Sequence, residues 1–141
     1  MNTSLDTRNP PLVVSSRDLD RIEALLEAPA YRNLPGIAAL RKELDRASIV
    51  SPEEVPAGVV TMNSQVLFRE RGTNEEYGLT LVYPRPDNPP GAVSIFAPVG
   101  SALLGLSVGQ SISWQVPGGR ELLLDVLDVV YQPEARGEYH R

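Results

Sequence analysis

The sequence predicts an α+β protein, a short antiparallel helical hairpin followed by an antiparallel β-sheet domain with one short helix. Three observations carry this. Apolar residues recur at helical spacing over residues 19–47, and a turn-rich stretch with two prolines follows at 51–58. Over 59–133, short runs of β-branched and aromatic residues alternate with turn residues. Helices first and strands afterwards is the order of segregated layers rather than alternating βαβ units.

Residues 1–11 are polar and end in Pro10-Pro11, a loose lead-in before a short extended segment at Leu12-Val13-Val14. Ser15 or Ser16 caps the first helix, with Asp18 three residues after Ser15 in capping-box spacing. Leu19, Ile22, Leu25 and Leu26 share one helical face, and Pro29 ends the helix. Pro35 suits the first turn of a second helix bearing Ile37, Leu40, Leu44 and Ala47. With about 11 to 13 residues per helix, the hairpin is only about 16–20 Å long.

Beyond the 51–58 linker, Val59–Met62, Val66–Arg69 and Tyr77–Tyr83 read as strands, with turns at Asn63-Ser64 and Arg71–Glu75. Pro84–Gly91 is a proline-rich loop, and Val93–Ala97 resumes a strand. Pro98 opens a short apolar helix that runs to Leu104, and Gly105 supplies the left-handed conformation that stops it. Val108-Gly109 turns the chain into a strand that includes Ile112–Val116. Pro117-Gly118 matches the central pair of a type II turn, after which a long apolar strand runs to Tyr131. Residues 134–141 form a polar tail.

A chain of 141 residues, 42% hydrophobic, buries one core and at most a small appendage. It has no cysteine, which excludes disulfides and thiolate zinc sites. No apolar run approaches the ~18 residues of a membrane-spanning helix, and the N-terminus lacks the basic-then-apolar form of a signal peptide, so a cytoplasmic protein with no membrane association is expected. A net charge of −5 argues against sequence-specific DNA binding, which needs a basic surface. It suits docking on a basic protein surface, and it equally suits plain solubility.

The framework Pro98, Ala102, Leu103, Gly105, Val108, Gly109, Pro117, Gly118 and Gly119 resembles the C-terminal domain of the Gre transcript-cleavage factors. The stretches 19–31, 43–56, 59–69, 81–84, 97–119 and 131–139 are similar to the Rnk family (regulators of nucleoside diphosphate kinase), Gre relatives with a short hairpin in place of the long coiled-coil arm. The resemblance implies a truncated coiled-coil arm at 12–47 and an FKBP-like domain at 59–133. It also implies bacterial RNA polymerase as partner, near the secondary channel, and an effect on nucleoside diphosphate kinase. The docking residues it implies are Pro98, Ser101, Leu106, Ser107, Gly109 and Gln110, with Glu23, Glu27, Tyr31 and Arg32 at the arm tip. Gre factors often carry lysines after the helix glycine, where this chain has Leu106 and Ser107.

No catalytic residue, metal or cofactor is expected. Gly100–Ser107 has phosphate-loop spacing, but Leu106 stands where the lysine should, and its apolar neighbours suit a core. The single histidine, His140, lies one residue from the end of the chain, a poor place for a general base. Gre factors are thought to hold magnesium through acids at the arm tip, but residues 28–36 here contain none. Glu23 and Glu27 read as a solvated helix face. Asp125 and Asp128, three apart on a strand, are expected on opposite faces. An FKBP-like fold raises prolyl isomerisation as an alternative, but Trp114, Phe68, Phe96 and the five tyrosines look scattered, with Trp114 best placed in the core. A monomer is expected, with a self-associating interaction module as the remaining alternative.

Overall fold

A computed structural model describes residues 11–34, 36–84, 89–115 and 121–138. The chain begins with strand β1 (Val13–Ser15) and helix α1 (Ser16–Glu27), then helix α2 (Ile37–Arg46) and strand β2 (Ser48–Val50). Ser15 caps α1 as its sequence predicts, its Oγ accepting the Asp18 amide at 3.0 Å. The hairpin carries β2 back to lie parallel beside β1, with Val14 opposite Ile49. Pro35, at the expected start of the second helix, lies outside the described residues, and Gly36 takes the cap position at φ 88°.

The main sheet has five strands in the order β5-β4-β3-β7-β6. They are β3 (Gln65–Glu70), β4 (Glu75–Val82), β5 (Ala92–Ser94), β6 (Ser111–Gln115) and β7 (Glu121–Tyr131). Helix α3 (Pro98–Leu103) lies between β5 and β6 in the chain. The sheet is not wholly antiparallel as expected, because β5 runs parallel to β4. A parallel neighbour requires the chain to travel back along the sheet, which the long connection after Val82 permits and a tight hairpin would not.

Val59–Met62 is not a strand. Val59 makes one bridge to Ser107, and the chain then turns, with Asn63 at φ 68°. The hydroxyl of Ser64 accepts the Thr61 amide at 2.9 Å, a local bond that competes with a strand ladder. Val59, Val60 and Met62 are all buried, so their apolar character serves packing.

Two glycines are dictated by close approach. Gly105 has φ +84°, and a Cβ there would sit 3.3 Å from the Leu12 Cβ. Gly100 would place a Cβ 2.3 Å from the Ser94 carbonyl oxygen. Around Gly105 the chain is stitched on both sides, its carbonyl accepting from Val13 and its amide donating to Val60.

One apolar cluster runs from Ile22, Leu26 and Leu40 of the hairpin through Leu103 and Leu106 to Ile112, Trp114 and Leu124 of the sheet. Short amphipathic helices gain most of their stability from such packing. Trp114 is buried there, as expected. Among the described residues, no helix is long and apolar enough to cross a membrane. The expected type II turn at Pro117–Gly119 and His140 lie outside the described residues.

Candidate functional site

The expected docking residues divide by burial. Leu106 is fully buried, and Ser101 is buried with its hydroxyl donated to the Ile95 carbonyl at 2.6 Å, so both serve the packing of α3. Pro98 and Gly109 are exposed, and Ser107 and Gln110 are half-buried. The turn carrying Ser107, Gly109 and Gln110 is tightly held. The Gln110 side chain accepts the Ser107 amide at 2.8 Å, and Gly109 donates its amide to Val126 of β7 at 2.9 Å. Val108, at the crest of that turn, is 45% exposed. Sequence reading placed Val108 in the turn framework but not among the docking residues, although an apolar residue beside a turn glycine was the available signal.

At the hairpin end, Glu23, Glu27 and Arg32 are exposed, and Glu27 lies 3.8 Å from Arg41. Tyr31 differs from them. It is half-buried, with its ring centroid 5.0 Å from that of Phe96 in the β5–α3 connection. The tip is therefore fastened to the sheet side of the molecule, which a freely projecting arm would not be. Among the described residues there is no group of three or more His, Cys, Asp or Glu side chains able to hold a metal ion.

Four of the described aromatics form two pairs. Besides Tyr31 with Phe96, Phe68 and Tyr77 face one another across β3 and β4 with centroids 5.6 Å apart. They line an apolar pocket of about 510 Å³ whose other wall includes Pro98 and Val99 of α3. Nothing local in the sequence signals this hollow, because it depends on the β3–β4 register and on where α3 lands.

Asp125 and Asp128 are also rearranged relative to expectation. The β3–β7 register shifts between Leu67 and Phe68, leaving Asp125 opposite Arg69 and Asp128 opposite Leu67. The extra residue, Leu127, is a bulge, so both aspartates lie on the same outer face of the sheet. Asp125 is held by Arg71, whose Nε lies 2.9 Å from Oδ1, by Arg69 at 3.6 Å, and by a hydrogen bond from the Ser111 hydroxyl. Burial acts to raise its pKa, but the bonds from Arg71 and Ser111 and the two arginine charges outweigh it. The carboxyl thus sits below its ordinary value. This is a structural ion-pair cluster.

Asp18 is the other perturbed acid. Rather than completing a capping box, its carboxylate turns inward, accepting the Met62 amide at 3.1 Å and the Tyr83 hydroxyl at 3.3 Å. Burial pushes its pKa up to about 6, the Met62 bond opposes this, Glu134 adds to it, and Tyr83 and Arg21 oppose it. Tyr83 is raised in turn, by burial first and then by the Asp18 charge.

Residues 55–131 match the family model described as Transcription elongation factor, GreA/GreB, C-term, and residues 10–50 match the one described as Rnk N-terminus. The chain belongs to the Rnk branch of the GreA/GreB family. The family match takes in α3 and the Ser107–Gln110 turn whole. A relative from Escherichia coli strain K12, named regulator of nucleoside diphosphate kinase, is 51% identical over 131 residues, covering 92% of this chain and 96% of the relative. Transcription elongation factor GreA of Helicobacter hepaticus is 32% identical over 90 residues, 63% of this chain and 55% of that protein. The solved structure of a prokaryotic transcription elongation factor GreA/GreB from Nitrosomonas europaea is 49% identical, with a TM-score of 0.67, over 86% of this chain and 99% of that one.

Proposed function

We propose that this Rnk-family chain is a transcription regulator that docks on bacterial RNA polymerase near its secondary channel and does not cleave transcripts. The observation that carries the docking is the exposure of Val108 and Gly109 on a turn whose backbone is bonded to β7, with Pro98 exposed at the start of α3. An exposed apolar crest on a rigid support loses little conformational entropy on binding. The buried members of the expected set, Ser101 and Leu106, act here by holding α3 in place.

The absence of cleavage rests on the hairpin. Helix α1 has 12 residues, about 18 Å, and residues 28–36 at the tip offer no carboxylate. Holding a second metal for water activation needs several oxygen ligands in near-octahedral geometry, which Glu27 beside Arg41 does not supply. Anchoring Tyr31 against Phe96 further restrains the tip. By family kinship, the chain also takes part in regulating nucleoside diphosphate kinase. The test is co-elution of purified protein with core RNA polymerase and its displacement by a Gre factor. Failure of both removes the proposal.

A further inference from the structure

The apolar pocket between the sheet and α3 has a charged mouth. Its walls include Phe68, Tyr77, Leu79, Val93, Val99 and Leu122, and among the described residues none that lines it carries a charge. Tyr77 remains 43% exposed, an aromatic face left to water. Two pairs further along the β3–β4 ladder, Glu70 lies directly opposite Glu75. Strand alternation puts both on the face shared by Phe68 and Tyr77. The Tyr77 hydroxyl donates to Glu75 Oε1 at 2.6 Å, which ties the acidic end to the pocket rim. Two carboxylates paired across strands repel each other. The turn amides of Gly72 and Thr73 steady Glu70, while the nearby Arg71 is engaged with Asp125.

We propose that this pocket receives an apolar side chain of a partner polypeptide, with an adjacent lysine or arginine of that segment lying against Glu70 and Glu75. The volume suits a side-chain-sized group, since ligand pockets run to roughly 300–1,000 Å³. Charge complementarity selects the cation, because two acids beside an apolar cup offer an anion no counterpart among the described pocket residues. Length selects a polypeptide. From Leu79 to Glu75 is four strand residues, about 13 Å at ~3.3 Å each, which a short extended segment spans and a small apolar molecule does not. The inference rests on the docking reading in taking the occupant to be a protein, and Pro98 belongs to both surfaces.

The probe is a displayed library of random hexapeptides selected on the full chain. Expected is enrichment of a large apolar residue within three positions of lysine or arginine. A synthetic peptide from that pool should bind at least about tenfold more weakly to Tyr77→Ala, an exposed site whose loss leaves the fold intact. The double variant Glu70→Gln/Glu75→Gln should lose the preference for that peptide over its lysine-to-glutamine analogue. Val99→Trp, which fills the cup, should abolish capture, and the thermal midpoints of the first two variants guard against unfolding. No enrichment, enrichment indifferent to charge, or unchanged affinity in Tyr77→Ala overturns the proposal. So does dimerisation that Tyr77→Ala disrupts, because the pocket would then belong to a second copy. Peptide capture without polymerase binding removes the docking reading and leaves the pocket, whereas polymerase binding without peptide capture removes the pocket alone.

Discussion

The carboxylate of Asp18 accepts the backbone amide of Met62 at 3.1 Å, so that the first turn of α1 holds the buried turn that leads into β3. The bond joins residues 44 apart in the chain. It binds the helical hairpin to the sheet with a polar contact inside a mostly apolar junction, where an unpaired amide would cost about 1–3 kcal/mol.

Burial of this carboxylate makes stability depend on pH in a defined direction. An unfolded aspartate titrates near ~3.9, while burial pushes Asp18 up to about 6. The folded state therefore binds the proton more tightly. The stability so gained is full below about pH 4 and is lost as pH rises through about 6. Asp125, held below its ordinary value, works the opposite way and loses its contribution only at pH below ~4. Urea unfolding at pH 5 and pH 7 should show the wild type losing about 1–3 kcal/mol more than Asp18→Asn over that interval. Equal losses would contradict the assignment.

Leu103 is fully buried in the common core, so Leu103→Ala should cost about 2–5 kcal/mol in denaturant unfolding. A loss below ~0.5 kcal/mol, typical of a surface site, would be inconsistent with its position.

Tyr31→Ala should release the hairpin end from Phe96. An aromatic pair contributes about 0.5–1.5 kcal/mol beyond its buried area. The amides of Tyr31, Arg32 and Leu34, bonded within that turn, should exchange hydrogen faster. Exchange rates matching the wild type would mean that the ring contact does not restrain the tip.

Val108→Glu should weaken polymerase binding by about tenfold, equivalent to ~1.4 kcal/mol, with the thermal midpoint nearly unchanged because the side chain is 45% exposed. Titration of labelled polymerase with both proteins is the measurement. Equal affinities would move the contact away from this turn.

Stalled elongation complexes incubated with the protein should keep their transcripts at full length. Shortened RNA that vanishes with Glu27→Ala would instead make Glu27 a metal-holding residue and reverse the non-catalytic reading.

Much of the fold is legible in local chemistry. Ser15 as a cap, the helical period from Ile22 to Leu44, the turn at Arg71–Asn74 and the helix-ending Gly105 each depend on a few neighbouring residues. Hydrogen bonds over three residues and the steric limits on φ act before any distant part of the chain is in place. What only tertiary structure decided involves partners far apart. The inward turn of Asp18, the parallel placement of β5, the stacking of Tyr31 on Phe96 and the hollow beside Tyr77 all require separate elements to meet. The Leu127 bulge shows the reason most directly. Alternation along β7 alone puts Asp125 and Asp128 on opposite faces, but pairing with β3 absorbs one extra residue and turns both to the same side.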